Sequence, residues 1–140
     1  MILVTGANGF VGAALMRRLL AGGVRVRGSV RRLDGQLLPG VQMAETGEIS
    51  GATDWGPALE GVTAVIHTAA RVHVMKESIS DPMREFRKVN TEGTLNLAAQ
   101  AAKAGVRRFV FVSTIKVNGE ATLPGHPFTA DDVPNPQGDY

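Results

Sequence analysis

Residues 2–12 read Ile2-Leu3-Val4-Thr5-Gly6-Ala7-Asn8-Gly9-Phe10-Val11-Gly12 and are followed by Ala13-Ala14-Leu15-Met16. An apolar run with β-branched residues breaks into three glycines spaced by three and passes at once into helix-forming residues, which predicts strand, tight turn, helix. Gly6 lets the backbone turn sharply out of the strand, Gly9 carries no Cβ to hold a pyrophosphate away, and Gly12 lets the first helical turn sit against the strand. The N–H groups of Phe10 and Val11 would face a diphosphate at a helix N-terminus, where partial positive charge gathers. The same glycine spacing also serves ligand-free turns. Its place between one strand and one amphipathic helix favours a dinucleotide cradle.

Working outward, 140 residues suit one core that removes roughly two-thirds of the chain's surface from water. Cysteine is absent, which excludes a disulfide framework and thiolate chemistry. No apolar run approaches the ~18 residues of a membrane span, and no basic region precedes the first strand, so a cytoplasmic protein without a membrane partner is expected. Residues 1–33 hold six arginines and no acid, and the remaining nine basic and thirteen acidic residues leave the rest at −4. No aromatic residues interleave with those arginines to stack bases, so nucleic acid is not an expected partner.

Ala13 to Ala21 carries Leu15, Leu19 and Leu20 at helical spacing and stops at Gly22-Gly23. Val24 to Val30 alternates in the manner of a strand, and two strands joined by so short a helix must lie parallel. The end of this second strand, about 20 residues past the glycines, is where dinucleotide folds read the adenosine ribose. Arg31 and Arg32 stand there and favour the 2′-phosphate of NADP, while Asp34 just beyond could take the ribose of NAD. Val41 to Ala44 is a short strand candidate before Gly47-Glu48-Ile49; taken alone, Glu48 reads as a loop carboxylate. Asp54 can cap a short helix that buries Trp55 and Leu59. Val62 to His67 reads as a strand covered on both faces, and the small residues Thr68-Ala69-Ala70 after it let the backbone pass close to a bound ligand. His67 and His73 lack a third ligand at suitable spacing, so no metal site is expected and His67 reads as a satisfied histidine at a strand end. Ser80-Asp81-Pro82 starts a long helix that runs to Gly105 and places Asn90 on its buried face, where it must find hydrogen-bond partners and reads as a strut to a neighbouring loop. Phe109 to Val112 reads as a strand buried on both faces, ending in Ser113-Thr114.

The segment Thr5-Gly-Ala-Asn-Gly-Phe-Val-Gly12 resembles the extended branch of the short-chain dehydrogenase/reductase superfamily, the NAD-dependent epimerase/dehydratase family. Val112-Ser-Thr-Ile-Lys-Val-Asn-Gly-Glu120 and Ala69-Ala-Arg-Val-His-Val-Met75 look most like bacterial nucleoside-diphosphate-sugar epimerases. The resemblance covers the whole chain. It implies an α/β fold with a doubly wound, Rossmann-like parallel sheet in order 3-2-1-4-5 and a dinucleotide, NAD or NADP, across its crest. It also implies that Glu48 and Ile49 hold the adenine, that Thr68, Ala69 and Ala70 pass beneath the nicotinamide-side ribose, and that Asn90 sits below the cofactor.

The same resemblance gives Thr114 the role of aligning a substrate oxygen and Tyr140 that of acid/base and cofactor contact, with a lysine expected four residues beyond. A phenol with a pKa near 10 needs a neighbouring ammonium to act near neutral pH. Residues 1–140 are therefore expected to be the dinucleotide-binding N-terminal part of a larger fold, truncated before its substrate-binding portion and inactive alone. The full-length protein is expected to be a homodimer that epimerises or dehydrates a nucleotide sugar. The alternatives are an NADP-dependent carbonyl reductase of the dihydroflavonol-reductase kind, acting on a small carbonyl or alcohol, and a non-catalytic dinucleotide sensor, which would lack that lysine.

Overall fold

Four short runs rich in β-branched and aromatic residues and one mixed run assemble into a single sheet in which every pairing is parallel. The computed structural model describes residues 1–33, 40–72 and 81–138. In chain order the elements are β1 (Ile2–Thr5), α1 (Phe10–Ala21), β2 (Val26–Val30), β3 (Gln42–Glu45), α2 (Gly56–Leu59), β4 (Ala64–His67), α3 (Pro82–Phe86), a π-helical segment (Arg87–Gly93), α4 (Thr94–Lys103) and β5 (Arg108–Phe111). A 3-10 turn at Ile115–Val117 follows. The strand order is β3-β2-β1-β4-β5, the expected doubly wound arrangement, with the order reversing beside β1.

The central strand β1 supplies a residue to each layer. Leu3 faces a cluster with Trp55, Leu59, Val65, Leu97 and Ala101, under α2 and α4. Val4 faces the other side, with Met16 of α1 and Val26 and Val30 of β2. This is the period-2 alternation of a strand covered on both faces. The residue at the N-cap of α2 is Trp55 and not the expected Asp54, whose carboxylate instead accepts from the Gly56 N–H at 2.9 Å in the turn that leads into the helix.

Two further expectations need correction. The long helix is not uniformly α: Arg87–Gly93 winds with π geometry between α3 and α4. Gly93 sits there against Ile49, whose Cγ2 lies 2.4 Å from where a Cβ on Gly93 would be. The second concerns β5, which is not buried on both faces: Val110 and Phe111 are 49% and 52% exposed. Among the described residues β5 is the sheet's edge, with only β4 beside it.

Candidate functional site

The carboxyl ends of β1, β2, β4 and β5 open onto one groove of about 520 Å³, and the sequence-predicted residues converge on it. Gly6, Gly9, Phe10, Val11 and Gly12 form its floor and the start of α1. Arg31, Glu48 and Ile49 line one end, Thr68, Ala69 and Ala70 the middle, and Thr114 the far side. Asn90 does not line the groove itself, although its neighbour Val89 does. Tyr140 lies outside the described residues, as do Asp34 and His73.

The floor is shaped by close backbone approach. Gly6 has φ +63°, a left-handed conformation that favours glycine, and a Cβ there would lie 3.0 Å from the Cα of Ala69. A Cβ on Gly12 would lie 2.1 Å from the carbonyl oxygen of Gly6 and 3.1 Å from the Thr68 hydroxyl. The first turn of α1 therefore packs on the turn that feeds it. Among the described residues no side chain caps that helix, and no acid stands in its first turn, so its leading N–H groups and the positive end of its dipole suit an anion. A cradle that Cβ atoms would fill, with an uncapped helix N-terminus over it, fits the diphosphate of a dinucleotide.

The walls are held by side chains bonded to backbone. Asn90 accepts from the Arg71 N–H at 2.8 Å and donates to the Arg71 carbonyl at 3.0 Å, so both backbone polar groups of one groove residue are satisfied by one side-chain amide. This is the strut expected from sequence. The π turn sets where Asn90 stands on its helix, and such turns often accompany functional sites. Arg71 pairs with Glu85 at 3.4 Å. Glu45 accepts from the Leu33 N–H at 2.9 Å and so pins the loop that carries Arg31 and Arg32. At the far side, Thr114 Oγ1 accepts from the Lys116 N–H at 3.3 Å, which leaves the hydroxyl proton free to be donated elsewhere.

His67 is 1% exposed, and burial lowers its pKa from 6.5 to about 4, so the ring is neutral near pH 7. Its Nδ1 lies 2.7 Å from Thr5 Oγ1 and its Nε2 2.9 Å from Thr94 Oγ1. Among the described residues no group of three His, Asp or Glu side chains could hold a metal ion, and no helix is long and apolar enough to cross a membrane.

Several contributors were missed from sequence. Asn8, Ser29, Thr46, Arg71 and Ser113 also line the groove. In sequence Thr5 looks like a strand former and no more, yet its hydroxyl accepts from the amides of Thr68 and Ala69, each at 3.2 Å. The signal for it lay in register, because Thr5 stands opposite His67 in the β1–β4 ladder.

The profile of the NAD dependent epimerase/dehydratase family matches residues 2–140. The chain is 44% identical to a UDP-glucose 4-epimerase of Vibrio cholerae over 99% of its own length and 42% of that protein's. Among solved structures it resembles a short-chain dehydrogenase/reductase superfamily protein from Agrobacterium tumefaciens with bound NAD, at 35% identity and TM-score 0.79, over 100% of this chain and 40% of that one. It also resembles the Thermus thermophilus UDP-glucose 4-epimerase in complex with NAD, at 30% identity and TM-score 0.81, over 99% of this chain and 45% of that one. The chain thus spans less than half the length of each of these proteins.

Proposed function

The chain belongs to the NAD dependent epimerase/dehydratase family, and from that premise we propose that it forms the dinucleotide-binding part of a longer enzyme that epimerises a nucleotide sugar. The observation that carries this reading is the single groove joining the Gly6–Gly12 cradle to Thr114. A relative 44% identical that is a UDP-glucose 4-epimerase supports the substrate class.

The cradle and the leading N–H groups of α1 hold the diphosphate; Glu48 and Ile49 take the adenine end and Arg31 the ribose beside it. Thr68, Ala69 and Ala70 run beneath the second ribose, with the adjoining Arg71 backbone held by Asn90. When bound, the nicotinamide supplies the hydride acceptor and donor. Thr114 donates to a substrate oxygen and aligns it with Tyr140, whose phenol moves the proton between that oxygen and itself. A lysine one helical turn beyond Tyr140 would lower the phenol's pKa toward neutrality.

Interconversion of UDP-glucose and UDP-galactose by the full-length protein tests the reading. Tyr140→Phe should lower kcat by about 10²- to 10⁴-fold and leave NAD affinity within a few-fold, because it removes a proton-transfer group and little binding. A full-length protein that binds no dinucleotide would overturn the proposal. A second reading, an NADP-dependent carbonyl reductase, is favoured by Arg31 at the groove's ribose end; it predicts NADPH oxidation with a carbonyl substrate and no epimerisation.

A further inference from the structure

Thr5 and His67 close the carboxyl ends of two adjacent strands, and their side chains meet 2.7 Å apart in the protein interior. The Thr5 hydroxyl has one proton and two lone pairs. The Thr68 and Ala69 amides can only donate, and both approach that oxygen at 3.2 Å, so they occupy its lone pairs. Its proton is then left for His67 Nδ1. A ring nitrogen that accepts is unprotonated, so the proton of the neutral imidazole sits on Nε2, which donates to Thr94 Oγ1 at 2.9 Å. One direction of donation runs through the set, from Thr5 to His67 and from His67 to Thr94.

Each end of this chain of bonds governs the groove. Thr5 holds the amides of Thr68 and Ala69, and the Ala69 Cα lies 3.0 Å from the place a Gly6 Cβ would take. Thr94 opens α4 directly after the π-helical segment that carries Asn90, which in turn holds both polar backbone groups of Arg71. The segment 68–71 is thereby held at its first two residues and at its last.

We propose that His67 is a positioning residue for the groove: as the Nε2–H tautomer, its Nδ1 fixes the Thr5 hydroxyl so that the Thr68 and Ala69 amides, and with them the segment beneath the ligand, keep one placement. This rests on the dinucleotide-binding reading for its ligand, though not for the bonding pattern itself. His67 touches no ligand and acts through Thr5.

Nitrogen NMR of the histidine rings in the full-length protein at neutral pH, without nucleotide, tests the pattern. The signals that vanish in His67→Asn should be of the pyridine type for Nδ1 and the N–H type for Nε2; an Nδ1–H ring would overturn the proposal. NAD titration of variants tests the consequence. His67→Asn keeps an acceptor near the Nδ1 position and should bind NAD within about threefold of the parent, whereas His67→Gln fills more of the cavity but reaches toward Thr94 and should bind about tenfold more weakly. Equal losses, or the reverse order, would mean that the ring only fills space and would overturn the proposal. Thr5→Val keeps the shape and removes the hydroxyl, and it too should weaken NAD by about tenfold or more. Should either His67 variant fail to fold, through-bond correlations from the His67 backbone to its ring assign the signals instead, and the tautomer in the parent still decides. Absence of NAD binding by the parent would instead defeat the dinucleotide reading and leave the tautomer result standing.

Discussion

The two sides of the groove are built to different depths. On the cradle side Leu3, Val4 and Thr5 of β1 are fully buried, flanked by strands on both edges and covered on both faces. On the side that carries Thr114, β5 is paired along one edge only among the described residues, and Val110, Phe111 and Val112 are each about half exposed. The shape of the cradle is therefore set by the core beneath it, while the residue proposed to align substrate stands at the end of a thinly covered strand. Equivalent injuries to the two sides should differ in cost.

The largest effect belongs to the cradle. In Gly12→Ala the new Cβ meets backbone, the Gly6 carbonyl, and not the flexible end of a side chain. Either α1 or the turn must move, at about 3 kcal/mol or more. Urea unfolding of the full-length protein measures it, and a loss under about 1 kcal/mol would show that the cradle yields as easily as the β5 side.

His67 sharpens the contrast through pH. Its folded pKa of about 4 is below the unfolded 6.5, and its neighbours are two threonine hydroxyls and the rings of Phe109 and Phe111. Between those values the unfolded chain binds the extra proton, so this stability is fully present above pH 6.5 and is lost as pH falls toward 4. The loss should reach up to about 3 kcal/mol. Unfolding curves in urea from pH 7 to 4 should show it, and His67→Asn should remove this part of the slope.

At the rim of the cradle the expected effect is on selectivity. A guanidinium on a 2′-phosphate makes a charge-assisted bond, so Arg31→Ala should weaken NADP(H) by roughly 10- to 100-fold and leave NAD(H) nearly unchanged. Fluorescence titration with both cofactors decides it, and equal losses would mean that Arg31 does not read the 2′-phosphate.

The cradle was legible before the fold because its determinants are local: a glycine triplet between an apolar run and a helix needs no knowledge of distant neighbours. The parallel pairing of the first two strands followed from the short crossover between them, the full strand order from the family resemblance, and the strut role of Asn90 from its place on a buried helical face. The π turn was not legible. The apolar spacing through Arg87–Gly93 fits an ordinary helix, and what accompanies the departure is tertiary: the Asn90 clasp on Arg71 and the contact of Gly93 with Ile49. Thr5 was missed for a related reason, since a threonine in a strand looks like a strand former until register places it opposite His67. For β5, Phe109-Val-Phe-Val112 has the composition of a strand covered on both faces, but coverage belongs to whatever packs there and cannot be read from the strand alone.

The smallest effect on stability belongs to that strand. Phe111 is 52% exposed, so Phe111→Thr removes less buried apolar surface than a core substitution would and introduces a β-branched residue that suits a strand. Its cost should be about 1 kcal/mol or less, well under that of Gly12→Ala. The same substitution should act strongly on another property. An open strand edge beside exposed Val110, Phe111 and Val112 is a surface on which one copy of the 140-residue chain can pair with another. Sedimentation velocity of that chain should show self-association that Phe111→Thr reduces. A cost of several kcal/mol would mean that β5 is as deeply held as β1, and the two sides of the groove would then not differ in the way their burial implies.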